Sequence, residues 1–201
     1  SDELARLARE PVDHPWFAPG APPVVLAAGR LTDVKDPPTL IQAFAALRRR
    51  RPARLVILGR AKDPERTEER KAELYAMADR LGVRADVDLP GYVHNPFRFM
   101  ARAAVLALAS RREGLPAVLV QAMACGCPVV STDCPTGPRE ILADGRYGRL
   151  VPVGDPVAMA RALEATLAAP PPAALLRARA ASFSVDHAIA RYEALLAGAP
   201  A

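Results

Sequence analysis

The 201-residue sequence predicts a doubly wound, Rossmann-like α/β domain with a parallel sheet of about six strands. Two observations carry this. Short runs such as 24–28, 55–58 and 104–109 are apolar throughout, the pattern of strands buried on both faces. Between them lie longer segments whose apolar residues recur at helical spacing, as Leu40, Ile41, Phe44 and Leu47 do. Alternating strands and helices of this kind build a parallel sheet covered on both sides.

Taken in order, residues 1–23 read as a peripheral connector: a short helix around Leu4 and Leu7, then extended chain forced by Pro11, Pro15, Pro19, Pro22 and Pro23. Residues 24–170 form the principal domain. Its strands are expected at 24–28, 55–58, 87–93, 104–109, 128–132 and 148–151, and its helices at 39–47, 65–81, 117–124 and 157–167. In the helix at 65–81, Leu74, Met77 and Leu81 are expected to face inward, with Gly82 closing it. Pro170, Pro171 and Pro172 then break the chain, and 171–201 holds two further helical stretches.

Composition narrows the function. Hydrophobic residues make up 51% and charged residues 24%, ordinary for a soluble domain. No apolar run reaches the roughly 18 residues of a membrane span, and the start shows no secretory signal. The chain begins at Ser1 without an initiator Met, as expected of a piece of a longer protein. A net charge of +5 favours anionic partners such as phosphates or acidic lipid surfaces. With aromatics at only 5% and no basic stripe, nucleic acid is not expected as a partner. The four arginines at 48–51 read as a solvated helix end. Cys125, Cys127 and Cys134 are expected as buried thiols in a reduced compartment, which points to the cytoplasm. Asp86 and Asp88 match an Asp-x-Asp metal pattern but sit inside a strand, and no metal site is expected. The three histidines show no ligand spacing, and Gly29 and Gly59 do not complete a dinucleotide-binding glycine loop.

In a doubly wound sheet, ligands bind beyond the carboxyl ends of the strands. After the first strand, Arg30 and Lys35 emerge five residues apart, a pair of cations suited to a pyrophosphate; two plain surface cations are the alternative. After the fourth come Ser110, Arg111, Arg112, Glu113, Gly114, Leu115 and Pro116, and then a helix. Pro116 suits a helix start, Gly114 lets backbone approach a ligand, and the free amides attract anions. Glu113 is either a ligand carboxylate or a helix-start residue stabilised by the dipole. Gln121, in that helix, leans toward the same edge, where its amide suits paired hydroxyls; solvent is the alternative. After the fifth strand, Thr136, Gly137 and Arg139 either line the site or shape a rigid turn.

Taken together, these segments resemble the C-terminal domain of retaining GT-B glycosyltransferases of the large group 1 (family four) type. The resemblance rests on Gly29-Arg30-Leu31 through Lys35-Asp36, residues 55–59, Leu89-Pro90-Gly91-Tyr92-Val93, and Glu113-Gly114-Leu115-Pro116 through Glu140-Ile141-Leu142, in order across about 24–155. It implies one half of a GT-B fold, whose closing helices at 183–196 pack toward an N-terminal acceptor domain. It implies a nucleotide-diphosphate sugar donor, most simply a UDP-sugar, passed with retention to a glycan or lipid-linked acceptor without a bound metal or other cofactor. Arg30 and Lys35 would hold the diphosphate beside Gly29 and Gly59, with the amides of Gly114 and Leu115. Backbone at Tyr92 and Val93 would meet the base, and Glu113 the donor sugar. Gln121 stands where the family carries a second Glu and would contact the ribose. Lipid-linked acceptors would place the protein at the inner face of the membrane. Other GT-B enzymes, such as a sugar-nucleotide epimerase or a phosphorylase, and a degenerate non-catalytic binding module are the competing readings.

Overall fold

A computed structural model describes residues 2–184 together with positions 187, 189 and 193. The sheet has six parallel strands: β1 (Val24–Ala28), β2 (Arg54–Leu58), β3 (Val87–Gly91), β4 (Val105–Leu108), β5 (Val129–Thr132) and β6 (Arg149–Val151). Their order is β3-β2-β1-β4-β5-β6, which is the doubly wound arrangement expected. Because the chain leaves β1 first toward β2 and later toward β4, the loops after β1 and β4 diverge and open a crevice between them.

Eight helices cover the sheet among the described residues: α1 (Asp2–Arg9), α2 (Pro37–Arg48), α3 (Pro64–Arg80), α4 (Phe97–Met100), α5 (Ala117–Ala124), α6 (Pro138–Ile141), α7 (Pro156–Ala168) and α8 (Ala173–Ala181). None is long and apolar enough to cross a membrane. Successive strand residues point to opposite faces, so β1, β2, β4 and β5 each feed two cores, whereas Val87 and Leu89 of β3 both belong to the first. Val25, Leu55, Ile57, Val105 and Ala107 pack with Phe44, Leu74 and Leu163 from α2, α3 and α7. Leu26, Val56, Leu58, Leu106 and Leu108 pack with Met100, Leu119, Met123 and Leu176 from α4, α5 and α8.

Several boundaries differ from the sequence reading. β3 stops at Gly91, where φ of +92° turns the chain, so Tyr92 and Val93 lie in the following loop. Leu81 caps α3 and is exposed, because the chain leaves the helix there and Gly82 takes a φ of +71°. The short α4 and α6 were not anticipated; each is a single turn with too few residues to show a period. The connector is not simply extended: Pro15–Phe17 forms a turn of 3-10 helix, and Leu4, Ala8, Val12, Trp16 and Phe17 pack against the second core. This segment lies along the β3 edge because His14 Nε2 meets Asp88 Oδ2 at 2.9 Å, while the Tyr75 hydroxyl donates to Asp88 Oδ1 and accepts from the Leu89 amide. The Asp86 carboxylate takes Arg48 at 2.6 Å and Arg54 from the other side. Arg48 is therefore an ion-paired residue rather than a solvated one, and Arg50 pairs with Glu164. The tail expected to pack toward a partner domain lies, beyond Ser184, outside the described residues.

All three cysteines are buried and unpaired. Burial pushes the Cys125 thiol up to about 11, against which the Arg177 charge is a smaller opposing influence, and burial raises Cys127 and Cys134 too. A thiol reagent at pH 8 is expected to label none of them rapidly in the folded protein and all of them once it is unfolded. Phe44 has no exposed surface, and Phe44→Ala is expected to cost about 3–5 kcal/mol in denaturant unfolding, as cavity-forming changes do.

Candidate functional site

The carboxyl ends of β1, β2 and β3 meet through backbone alone. The Gly29 amide donates to Leu58 O at 2.9 Å, the Gly59 amide to Gly91 O at 2.8 Å, and the Leu31 amide to Arg60 O at 3.0 Å. Gly59 adopts φ of +145°, and a Cβ there would stand 1.7 Å from Gly29 O. Above this floor lies a cleft of about 750 Å³ lined by Gly29, Arg30, Thr32, Gly59, Lys62, Tyr92 and Val93, among others. Arg60 also lines it, its guanidinium 4.9 Å from the centre of the exposed Tyr92 ring. Arg60 and Lys62 belong to no recognisable motif and were missed from the sequence; two cations just past a strand end were the available signal.

The loop after β1 is held by Asp36, which is buried and takes a left-handed conformation. Its carboxylate caps α2 by accepting from the Thr39 amide and hydroxyl at 3.3 and 2.8 Å, and it also binds Arg111 at 2.9 Å. The Arg111 amide donates to Val34 O, tying this loop to the one after β4. Lys35 is thereby set facing Glu113 across the crevice, with Nζ 2.5 Å from Oε1. Gly29, Arg30 and Lys35 also line one small recess beside the cleft.

Glu113 is mostly buried, its side chain 10% exposed against 25% for Lys35. The same Oε1 accepts a 2.6 Å hydrogen bond from the Ser110 hydroxyl, while Oε2 has no hydrogen-bond partner among the described residues. Ser110 is fully buried at the end of β4, and its carbonyl accepts from Thr132 Oγ1 at 2.6 Å. These two hydroxyls were not singled out from the sequence, where a Ser and a Thr at strand ends carry no pattern.

The loops after β4 and β5 are paired. The Glu113 amide donates to Pro135 O and the Thr136 amide to Glu113 O, each at 3.0 Å. Gly137, with φ of +88°, lies so close that a Cβ would sit 2.3 Å from Gly114 O. The amides of Gly114 and Leu115 donate to no group among the described residues and remain available to a ligand ahead of α5. Of the two roles open to Arg139, the structure shows it fastened within its own loop: it pairs with Asp133 and Asp144 beside a separate open basin of about 620 Å³. Gln121 is half-buried in α5, and its side chain makes no hydrogen bond among the described residues. The two aspartates of the Asp-x-Asp pattern are occupied by Arg48, Arg54, His14 and Tyr75, as described above.

Gly59→Ala is expected to lower stability by at least about 1–3 kcal/mol, the cost of a backbone region open only to glycine, whereas Gly114→Ala, whose Cβ meets nothing within 4 Å, is expected to be near neutral. Paired chemical unfolding curves check the contrast.

Comparison with known proteins supplies the lineage. Residues 22–169 match the family described as glycosyl transferases group 1. Over 143 residues the chain is 36% identical to N-acetylgalactosamine-N,N'-diacetylbacillosaminyl-diphospho-undecaprenol 4-alpha-N-acetylgalactosaminyltransferase of Campylobacter jejuni, covering 71% of this chain and 37% of that protein. It is 38% identical over 175 residues to D-inositol 3-phosphate glycosyltransferase of Xylanimonas cellulosilytica, covering 84% of this chain and 39% of that one. The Anabaena HepE structure, solved in complex with UDP and glucose, superposes with a TM-score of 0.70 at 26% identity, over 84% of this chain and 43% of HepE. A glycosyltransferase from Rickettsia africae shares the fold at a TM-score of 0.79 and 15% identity, over 96% of this chain and 51% of that one. The chain thus spans well under half the length of the curated relatives it matches. With its sheet order, and with its sequence matched over most of its length, this chain belongs to the group 1 glycosyl transferases and has the Rossmann-like α/β fold of a GT-B domain.

Proposed function

We propose that this chain is the donor-binding, C-terminal half of a retaining glycosyltransferase. The full protein would take a sugar from a UDP-sugar and pass it to a glycan or lipid-linked acceptor held by an N-terminal domain, at the inner face of the membrane. The observation that carries the reading is the crevice between β1 and β4, where Arg30, Lys35, Glu113 and the free amides of Gly114 and Leu115 converge beside the 750 Å³ cleft. The UDP and glucose bound by HepE, and the undecaprenol-linked acceptor in the name of the Campylobacter relative, support the choice of donor and acceptor class.

In this reading the base lies against backbone at Tyr92 and Val93, and the diphosphate lies over Gly29 and Gly59, where no side chain intrudes. As the bond from sugar to diphosphate breaks, negative charge grows on the leaving phosphate oxygens. Arg30, Lys35 and the amides ahead of α5 oppose it, and the amides do so from positions the backbone already fixes. The cations are side chains, and the proposal calls for no metal. The unpartnered Glu113 Oε2 is placed to accept a hydrogen bond from a donor-sugar hydroxyl. Gln121 is assigned to the ribose, where an amide both donates and accepts.

Titration calorimetry of the chain with UDP is expected to give saturable binding, and none at millimolar nucleotide would overturn the proposal. Lys35→Ala and Arg30→Ala are each expected to weaken binding by about 1–3 kcal/mol, the size of a charged hydrogen bond; unchanged affinity in both would remove the diphosphate assignment.

A further inference from the structure

The Lys35 ammonium and the Ser110 hydroxyl converge on one oxygen of Glu113, from opposite sides of the crevice. Lys35 is on the loop after β1 and is partly exposed, with a flexible stem. Ser110 lies two residues past the end of β4 and is fully buried, and Glu113 Oε1 is the acceptor of its hydroxyl. Its carbonyl is pinned by Thr132, itself buried on β5. One partner of the carboxylate is therefore able to leave and the other is not.

We propose that the Lys35–Glu113 ion pair is the resting state of the donor site, that an arriving diphosphate draws Lys35 off Glu113, and that Ser110 is the positioning residue that keeps the carboxylate in place afterwards. This rests on the proposed function above and adds the order of events within its site. The physical reason lies in charge and burial. While Lys35 and Glu113 are paired, their charges cancel, and the diphosphate gains little from the lysine while facing a carboxylate. Transfer of the ammonium to the phosphate oxygens turns a cancelled cation into a used one. The exchange leaves a mostly buried carboxylate behind, which is costly unless another donor remains. The Ser110 hydroxyl is that donor. With Oε1 so held, Oε2 stays directed away from both present partners and free to meet a sugar hydroxyl.

Titration calorimetry of the 201-residue chain with UDP tests this by the sign of the effect. Glu113→Gln removes the competing pair and the repulsion between carboxylate and diphosphate, so UDP is expected to bind roughly threefold to fivefold tighter, the size of a part-exposed ion pair. If the pair instead stays intact in the complex and supports Lys35, the same substitution weakens UDP; weakened or unchanged binding overturns the exchange. Ser110→Ala is expected to weaken UDP by a similar factor in the unsubstituted background and to have no effect on UDP affinity when combined with Glu113→Gln, because no charge is then left behind when Lys35 moves to the phosphate, and the amide's need for the hydroxyl is the same with and without UDP. Equal losses in both backgrounds would make Ser110 merely structural and overturn its assignment. Absence of UDP binding by the unsubstituted chain would overturn the proposed function and this inference together, whereas normal UDP binding with the wrong sign for Glu113→Gln overturns the inference alone.

Discussion

Close backbone approach at the carboxyl ends of β1, β2 and β3 governs everything built above them. β1 and β2 run into Gly29 and Gly59, and β3 ends in Gly91; the amides of Gly29 and Gly59 continue the ladder one step past their strands, onto the carbonyls of Leu58 and Gly91. A side chain at 59 would occupy the position of Gly29 O. The glycines therefore serve two ends at once: they satisfy backbone groups that would otherwise be orphaned, and they leave a floor bare of side chains. The cleft is open because its floor is peptide, and its walls are charged because the next residues out are Arg30, Arg60 and Lys62.

Charge is distributed unevenly over the site. On the β1 side, Asp36 is spent on structure: it caps α2 and anchors Arg111, and this holds the Lys35 loop in shape. On the β4 side, Glu113 has half of its carboxylate engaged and half free. Away from the site, Asp86 and Asp88 are fully occupied by Arg48, Arg54, His14 and Tyr75 and tie the β3 edge to its surroundings. The carboxylates that look alike in the sequence thus divide into fastening groups and one with spare hydrogen-bonding capacity, and the spare one stands at the crevice.

The sheet and its two cores were legible because the central strands are apolar on both faces and each long helix repeats at its own period. The position of Arg30, Lys35 and Glu113 at the crevice was legible because they follow strand ends at the edge where the two halves of the sheet diverge. Other features depend on partners far apart in the chain. His14 and Asp88 are separated by more than seventy residues, so nothing local shows that the proline-rich segment is fastened to β3. Arg48 meets Asp86, and Arg50 meets Glu164, in the same way, which is why a run of arginines read as solvated while two of them were paired. Ser110 and Thr132 gain meaning only when β4 and β5 are neighbours in the sheet. For Arg139 the sequence left a site-lining and a turn-shaping role open; Asp133 and Asp144, six and five residues away on either side of it, hold its guanidinium.

The paired loops after β4 and β5 have a consequence for how the site responds to change. Glu113, Gly114 and Thr136 exchange hydrogen bonds, and Gly137 fits against Gly114 with no room for a methyl group. The two loops are therefore fastened to each other with no slack between them. The rim of the neighbouring basin and the backbone of Glu113 share these contacts, so a substitution at that rim bears directly on the loop that carries the carboxylate. Tuning of such a site by sequence drift thus has a route that never touches the cleft: alterations at the β5 loop reach the carboxylate from behind, leaving the glycine floor untouched.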